Sequence, residues 1–159
     1  MAETRNPQRL RPWRVLAIVA SGSALGLVWN SASGHGFPLS SNVYVQPGDQ
    51  QVESAEAKGL IQKGALALDA RPLWAYEAGH IPSALPFPED DKFDEHFAAL
   101  EPQLRSNLNV IVYCAGFGCE ASHIVARKLK QHGIPAVVLN EGWPAWTDAG
   151  YPIRTGKQP

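Results

Sequence analysis

Two cysteines, Cys114 and Cys119, stand close together in "NVIVYCAGFGCEASHIVARKLKQHG", and the chain of 159 residues contains no others. Cys114 follows an apolar, β-branched run, and a segment with helical spacing begins near Ala121. Such a cysteine is placed to act as a nucleophile. Gly116 and Gly118 permit backbone angles that turn successive N–H groups inward, forming a nest for negative charge. The start of the following helix adds unpaired N–H groups and a partial positive charge. A thiol held there ionises more readily, and the thiolate is the attacking form. Ala115, Gly116, Phe117, Gly118, Cys119 and Glu120 then make the substrate-binding loop around Cys114. Two other readings stay open. The cysteines are inert groups at a strand–helix junction, or Cys114, Cys119 and His123 hold zinc. The second lacks a fourth ligand and tightly paired spacing, so no metal or other cofactor is expected.

The elements that must position this loop alternate along the chain. "ESAEAKGLIQKG" has Ala57, Leu60 and Ile61 on one helical face and stops at Gly64. "ALALDA" reads as a short strand ending at Asp69, and "DKFDEHFAAL" puts Phe93, Phe97 and Leu100 at helical spacing. "NVIVYC" and "PAVVLN" are continuous apolar runs, the pattern of strands buried on both faces. Between them "EASHIVARKLKQHG" is amphipathic, with Ile124, Val125 and Leu129 inward and Gly133 as its stop. This alternation predicts an α/β fold, one parallel sheet with helices on both faces. Ligands of such sheets bind beyond the carboxyl ends of strands, where Cys114 lies.

The N-terminus is a separate piece. Arg5, Arg9, Arg11 and Arg14 precede the uncharged run "VLAIVASGSALGLVW". As a helix, Val15 to Trp29 rises about 22 Å against a hydrocarbon core of roughly 30 Å, and "NSAS" can extend it. Trp13 and Trp29 fall where interfacial aromatics belong. The segment predicts a retained membrane anchor, or alternatively a signal cleaved near Ser31-Ala32-Ser33. No Lys or Arg follows Arg14 until Lys58, so the N-terminus stays inside and the rest is exported. In a bacterium this is a single-pass inner-membrane protein with a periplasmic domain, or a periplasmic protein after signal cleavage. Gly22 and Gly26 offer a small-residue face on which two anchors pair as a homodimer.

The expected organisation is therefore a basic N-terminus at 1–14, the anchor or signal at 15–33, a linker at 34–50, the folded domain at 51–153 and a tail at 154–159. Within the linker, "NVYV" reads as a strand. With 45% hydrophobic residues the chain can bury a core, and a net charge of −1 without a basic stripe gives no reason to expect nucleic-acid binding. Two cysteines are too few for a disulfide scaffold.

"LDARPLWAYEAGHIPSALPFP", "VIVYCAGFGCEAS" and "VVLNEGWPAWTDAGYPI", in that order, resemble the successive signatures of a rhodanese domain, across residues 51–153. The resemblance implies a sulfurtransferase that carries sulfane sulfur as a persulfide on Cys114. Its partners are a small sulfur donor and a thiol or protein acceptor. Asp69 and Arg71 match the family's Asp-x-Arg turn, and Gly79-His80-Ile81-Pro82 its next turn, so both are expected to support the structure. Arg71 either aids an anionic donor or is tied to an internal carboxylate. Cys119 stands where the family often has Arg, Glu141 replaces the first of two customary glycines before Trp143, and Ser83 stands where Gly is usual. With Glu120 next and no cation in the loop, thiosulfate is expected to be a poor donor. Phosphatases of related fold place a phosphate-clamping Arg at the position of Glu120, so phosphoryl chemistry is rejected. Phe117 is expected to wall the pocket, with Trp143 and Trp146 packed in the core. Cys119 is either a resolving thiol that forms a disulfide with Cys114 or a loop filler. A non-catalytic binding module and a Cys114/Cys119 dithiol–disulfide redox protein remain as alternatives.

Overall fold

The computed structural model describes residues 11–33, 45–116 and 119–159. It contains two units, Met1–Ser40 and Ser41–Pro159. The first holds helix α1, Pro12–Ala32. The second holds, in order, β1 Gln51–Val52, α2 Ser54–Gln62, β2 Leu66–Asp69, α3 Leu73–Ala78, β3 Leu85–Pro86, α4 Phe93–Ser106, β4 Val110–Tyr113, α5 Ala121–Gln131, β5 Ala136–Leu139 and α6 Gly142–Asp148. The five strands form one parallel sheet in the order β1-β5-β4-β2-β3.

The sheet's period of two sorts the apolar runs onto two faces. In β4, Val110 and Val112 join one core with Leu68 of β2, Ala136 and Val138 of β5, Phe97 and Leu104 of α4, and Val125 and Leu129 of α5. Ile111 and Tyr113 point the other way and join Ala67, Leu139, Ala57 of α2 and Trp146 of α6. Every residue of β4 is buried, which explains a run with no polar position. Each fully buried side chain of Leu or Phe size, such as Leu129 or Phe87, contributes about 1.5–3 kcal/mol. The parallel α/β sheet with helices on both faces is thus as expected.

Several details differ from the sequence reading. Ile124 is only half-buried; Ser122, His123 and Ala126 join Val125 and Leu129 as the buried residues of α5. Residues 42–44 of the expected strand "NVYV" lie outside the described residues, and Val45 belongs to no strand. The first strand is instead Gln51–Val52, paired in register with Val138 and Leu139. Helix α1 runs beyond Val15–Trp29 at both ends, over 21 residues. It is long and apolar enough to cross a membrane or serve as a signal. At 1.5 Å per residue it spans about 31 Å, close to a hydrocarbon core of roughly 30 Å.

Candidate active site

Cys114 lies one residue beyond β4, at the carboxyl edge of the sheet, and is only 4% exposed. After Ala115, the N–H of Cys119 donates to the Gly116 carbonyl at 3.0 Å, folding the loop back on itself. That turn brings the cysteine Cα atoms to 6.2 Å, and the structure joins Cys114 and Cys119 in a disulfide. Bridged cysteines have Cα separations of roughly 4.4–6.8 Å, so the loop accommodates the link. Helix α5 starts two residues after Cys119, directing its N-terminus toward the same loop. Phe117 and Gly118 lie outside the described residues.

A second turn buttresses the loop. The Trp143 N–H donates to the Cys114 carbonyl at 2.8 Å. Gly142, at φ +59°, passes so close that an added Cβ would collide with the Cys114 carbonyl oxygen and lie 3.1 Å from the Gly116 nitrogen. Any side chain at Gly142 would therefore push the two loops apart. A Cβ on Gly116, at φ +129°, would meet Pro144 at 3.0 Å. Glu141 adopts φ +57° without a glycine, but its side chain is exposed.

Arg71 is occupied. It forms a fork with Asp69, Nε to Oδ1 at 2.9 Å and Nη2 to Oδ2 at 2.6 Å, and Nη2 also donates to the Gly79 carbonyl at 2.6 Å. Asp69 is fully buried and Arg71 is 5% exposed. Burial alone would ease proton loss from the guanidinium, but the hydrogen bonds and charge of Asp69 outweigh it and hold Arg71 protonated. The guanidinium carbon sits 4.4 Å from the Trp143 ring centre and 5.5 Å from that of Tyr113. Burial, then the Asp69 carboxylate, push the Tyr113 phenol well above its ordinary range, so it stays neutral; its oxygen accepts from the Ile81 N–H. Asp69 and Arg71 thus bind the turns around the sheet's carboxyl edge to one another. His80 is structural in placement, fully buried, stacked on Tyr76 and within hydrogen-bond distance of the Tyr76 and Gln158 carbonyls.

Charge beside the loop comes from α5. Glu120 is half-exposed, with Arg127 Nη2 4.0 Å from its carboxylate. Arg127 also meets Asp49 at 3.0 Å, and His123 Nδ1 lies 3.1 Å from the same Asp49 oxygen. Burial would raise the Asp49 carboxyl, but the Gln46 N–H, His123 and Arg127 overcome it and hold it below the ordinary 3.8. This cluster went unforeseen because His123 and Asp49 are 74 residues apart. It occupies His123, the third residue of the zinc set considered from sequence. Trp146 is buried and Trp143 half-buried, whereas Trp74 is 74% exposed. A pocket of about 190 Å³ lined by Lys58, Ile61, Gln62, Pro82, Trp146 and Pro152 includes none of the candidate loop residues.

Similarity to known proteins agrees with this arrangement. The model of the rhodanese-like domain matches residues 53–149. An HTH-type transcriptional regulator, Rv0324 of Mycobacterium tuberculosis, is 29% identical over 109 residues, which cover 68% of this chain but only 46% of the regulator. The crystal structure of thiosulfate sulfurtransferase from Pseudomonas aeruginosa superposes with a TM-score of 0.57 at 27% identity, covering 69% of this chain and 21% of that one. A rhodanese-related protein of Thermoplasma volcanium gives 0.57 at 25% identity, covering 66% and 97%. With the family model spanning more than half of the chain and the sheet, cysteine loop and buttressing turn all in place, the chain belongs to the rhodanese-like domain family.

Proposed function

We propose that this chain is a sulfurtransferase carrying sulfane sulfur as a persulfide on Cys114, tethered by α1 with its domain outside the cytoplasm. The observation that carries the reading is the position of Cys114. It directly follows a fully buried strand, is only 4% exposed and lies on the loop that leads into α5. In the reduced form its thiolate attacks the outer sulfur of a donor R–S, the bond between that sulfur and R breaks, and the Cys114 persulfide anion remains. Transfer to an acceptor thiol reverses the roles. Arg71 is committed to Asp69 and Gly79, so donor recognition falls to backbone N–H groups and the helix terminus. These favour a monoanionic or organic donor over dianionic thiosulfate. Four N-terminal arginines with none between Arg14 and Lys58 support export.

The Cys114–Cys119 disulfide favours a second reading, a dithiol–disulfide redox protein that never carries sulfur. One experiment separates them. Protein reduced with dithiothreitol and desalted is mixed with benzenethiosulfonate and weighed intact. Cys119→Ser, which lacks the competing thiol, should gain one sulfur. Cys114→Ser, folded by circular dichroism, should gain none. A Cys119→Ser protein that gains nothing, or a Cys114→Ser protein that loads equally well, would overturn the assignment.

A further inference from the structure

We infer that Cys119 is a resolving thiol that releases the sulfur of a Cys114 persulfide as hydrosulfide, making the domain a dithiol-dependent persulfide reductase. This inference rests on the sulfurtransferase reading of Cys114.

The geometry distinguishes two routes. A thiolate meeting a persulfide can attack the outer sulfur, which then moves to Cys119. It can instead attack the inner sulfur, which is Cys114 Sγ itself, and expel the outer one. The Gly116–Cys119 turn and the 6.2 Å Cα separation bring Cys119 Sγ onto Cys114 Sγ, the inner position. The buttressing turn holds the Cys114 end fixed, because Trp143 N–H binds its carbonyl and Gly142 packs against it. The nucleophile is thus bonded, in the oxidised form, to the atom it must attack. Thiol–disulfide exchange depends on which sulfur is accessible and on alignment, and the loop supplies both for the inner sulfur.

The step balances within the protein. Cys119 Sγ attacks Cys114 Sγ, the bond from Cys114 Sγ to the outer sulfur breaks, and the proton of the Cys119 thiol leaves on that outer sulfur as hydrosulfide. The sulfane sulfur is reduced by two electrons, and the two cysteine sulfurs are oxidised to the disulfide. The disulfide blocks another loading until an external dithiol reduces it by exchange. The chemistry therefore requires two partners: a sulfane-sulfur donor and a protein or small-molecule dithiol.

The test uses the full chain, reduced and freed of reductant, with benzenethiosulfonate as donor. Its leaving group is benzenesulfinate, so any sulfide detected comes from the protein. Wild type should release one sulfide per chain, then stop, with both cysteines protected from alkylation until dithiothreitol is added. Cys119→Ser and Cys119→Ala should release none and keep the added sulfur at least tenfold longer. Stable loading of wild type with no sulfide and no disulfide would overturn the inference while leaving Cys114 as sulfur carrier. Sulfur mapped to Cys119 by peptide mass would overturn it in favour of outer-sulfur attack. Failure of both Cys119 variants to load would remove the underlying reading as well.

Discussion

Glu120 begins the approach to α5 with its carboxylate half-exposed, and Arg127 two turns along the helix reaches it at 4.0 Å. At this end of the loop an anionic donor would meet a carboxylate, and the nearby guanidinium is shared with Asp49. Arg71 gives no relief, because its Nε and Nη2 are spent on Asp69 and Gly79. Thiosulfate should therefore be a weak substrate, and Glu120→Arg should raise its kcat/KM about tenfold, roughly 1.4 kcal/mol of barrier. Solvent screens a half-exposed site, so the gain should shrink with added salt. Glu120→Gln should fall between the two. Efficient use of thiosulfate by wild type, with no gain from either variant, would show that loop charge does not set donor preference. The cysteine pair was legible in sequence because turn, thiols and helix start are contiguous. The lock on Arg71 was only half legible: Asp69 is two residues away, but the Gly79 carbonyl depends on how α3 folds back.

The elements that could be read directly were those with a repeating apolar pattern. Strands β2, β4 and β5 appear as solid runs because both faces are covered, and α5 shows its stripe because one face is not. Strands β1 and β3 have two residues each, too few for any period to show, and sit at the sheet edges. Helix α3 is six residues long and leaves Leu73 and Trp74 exposed, so its apolar residues do not mark a buried face. The two departures from family glycines have a shared backbone cause: Ser83 lies at φ +66° and Glu141 at φ +57°, both in the left-handed region. In the Ile81–Ala84 turn, the Ala84 N–H donates to the Ile81 carbonyl at 2.9 Å, with Pro82 second and Ser83 third. That third position at positive φ is where glycine is preferred. A left-handed non-glycine residue costs about 1–2 kcal/mol, partly offset by glycine's larger entropy loss on folding. Ser83→Gly should then stabilise the domain by about 0.5–1 kcal/mol in urea unfolding, with the m-value unchanged. The side chain is exposed, so no packing is lost. A lower midpoint would mean that the Ser83 side chain contributes more than its backbone costs.

At the scale of the whole chain, α1 and the domain make different demands on their surroundings. The domain buries its apolar residues in two cores, whereas α1 has no buried residue, with Leu16, Ile18, Leu25 and Trp29 all more than 60% exposed. A helix apolar all round needs a non-aqueous environment, which a bilayer provides. In the proposed membrane-anchored state, the arginines on its N-terminal side would orient it with that end inside. On the proposed export, the domain would reach an oxidising compartment, where a Cys114–Cys119 disulfide would persist unless a dithiol is supplied. A reporter fused after Pro159 that becomes active only outside the cytoplasm should therefore be active, and the fusion should require detergent for extraction from membranes. Intact mass distinguishes a retained anchor from a signal removed near Ser31-Ala32-Ser33, since only the latter yields a shortened chain soluble without detergent. Activity of a cytoplasm-restricted reporter at the same junction would overturn export, and would place the cysteine pair in a reducing environment where the disulfide forms only transiently.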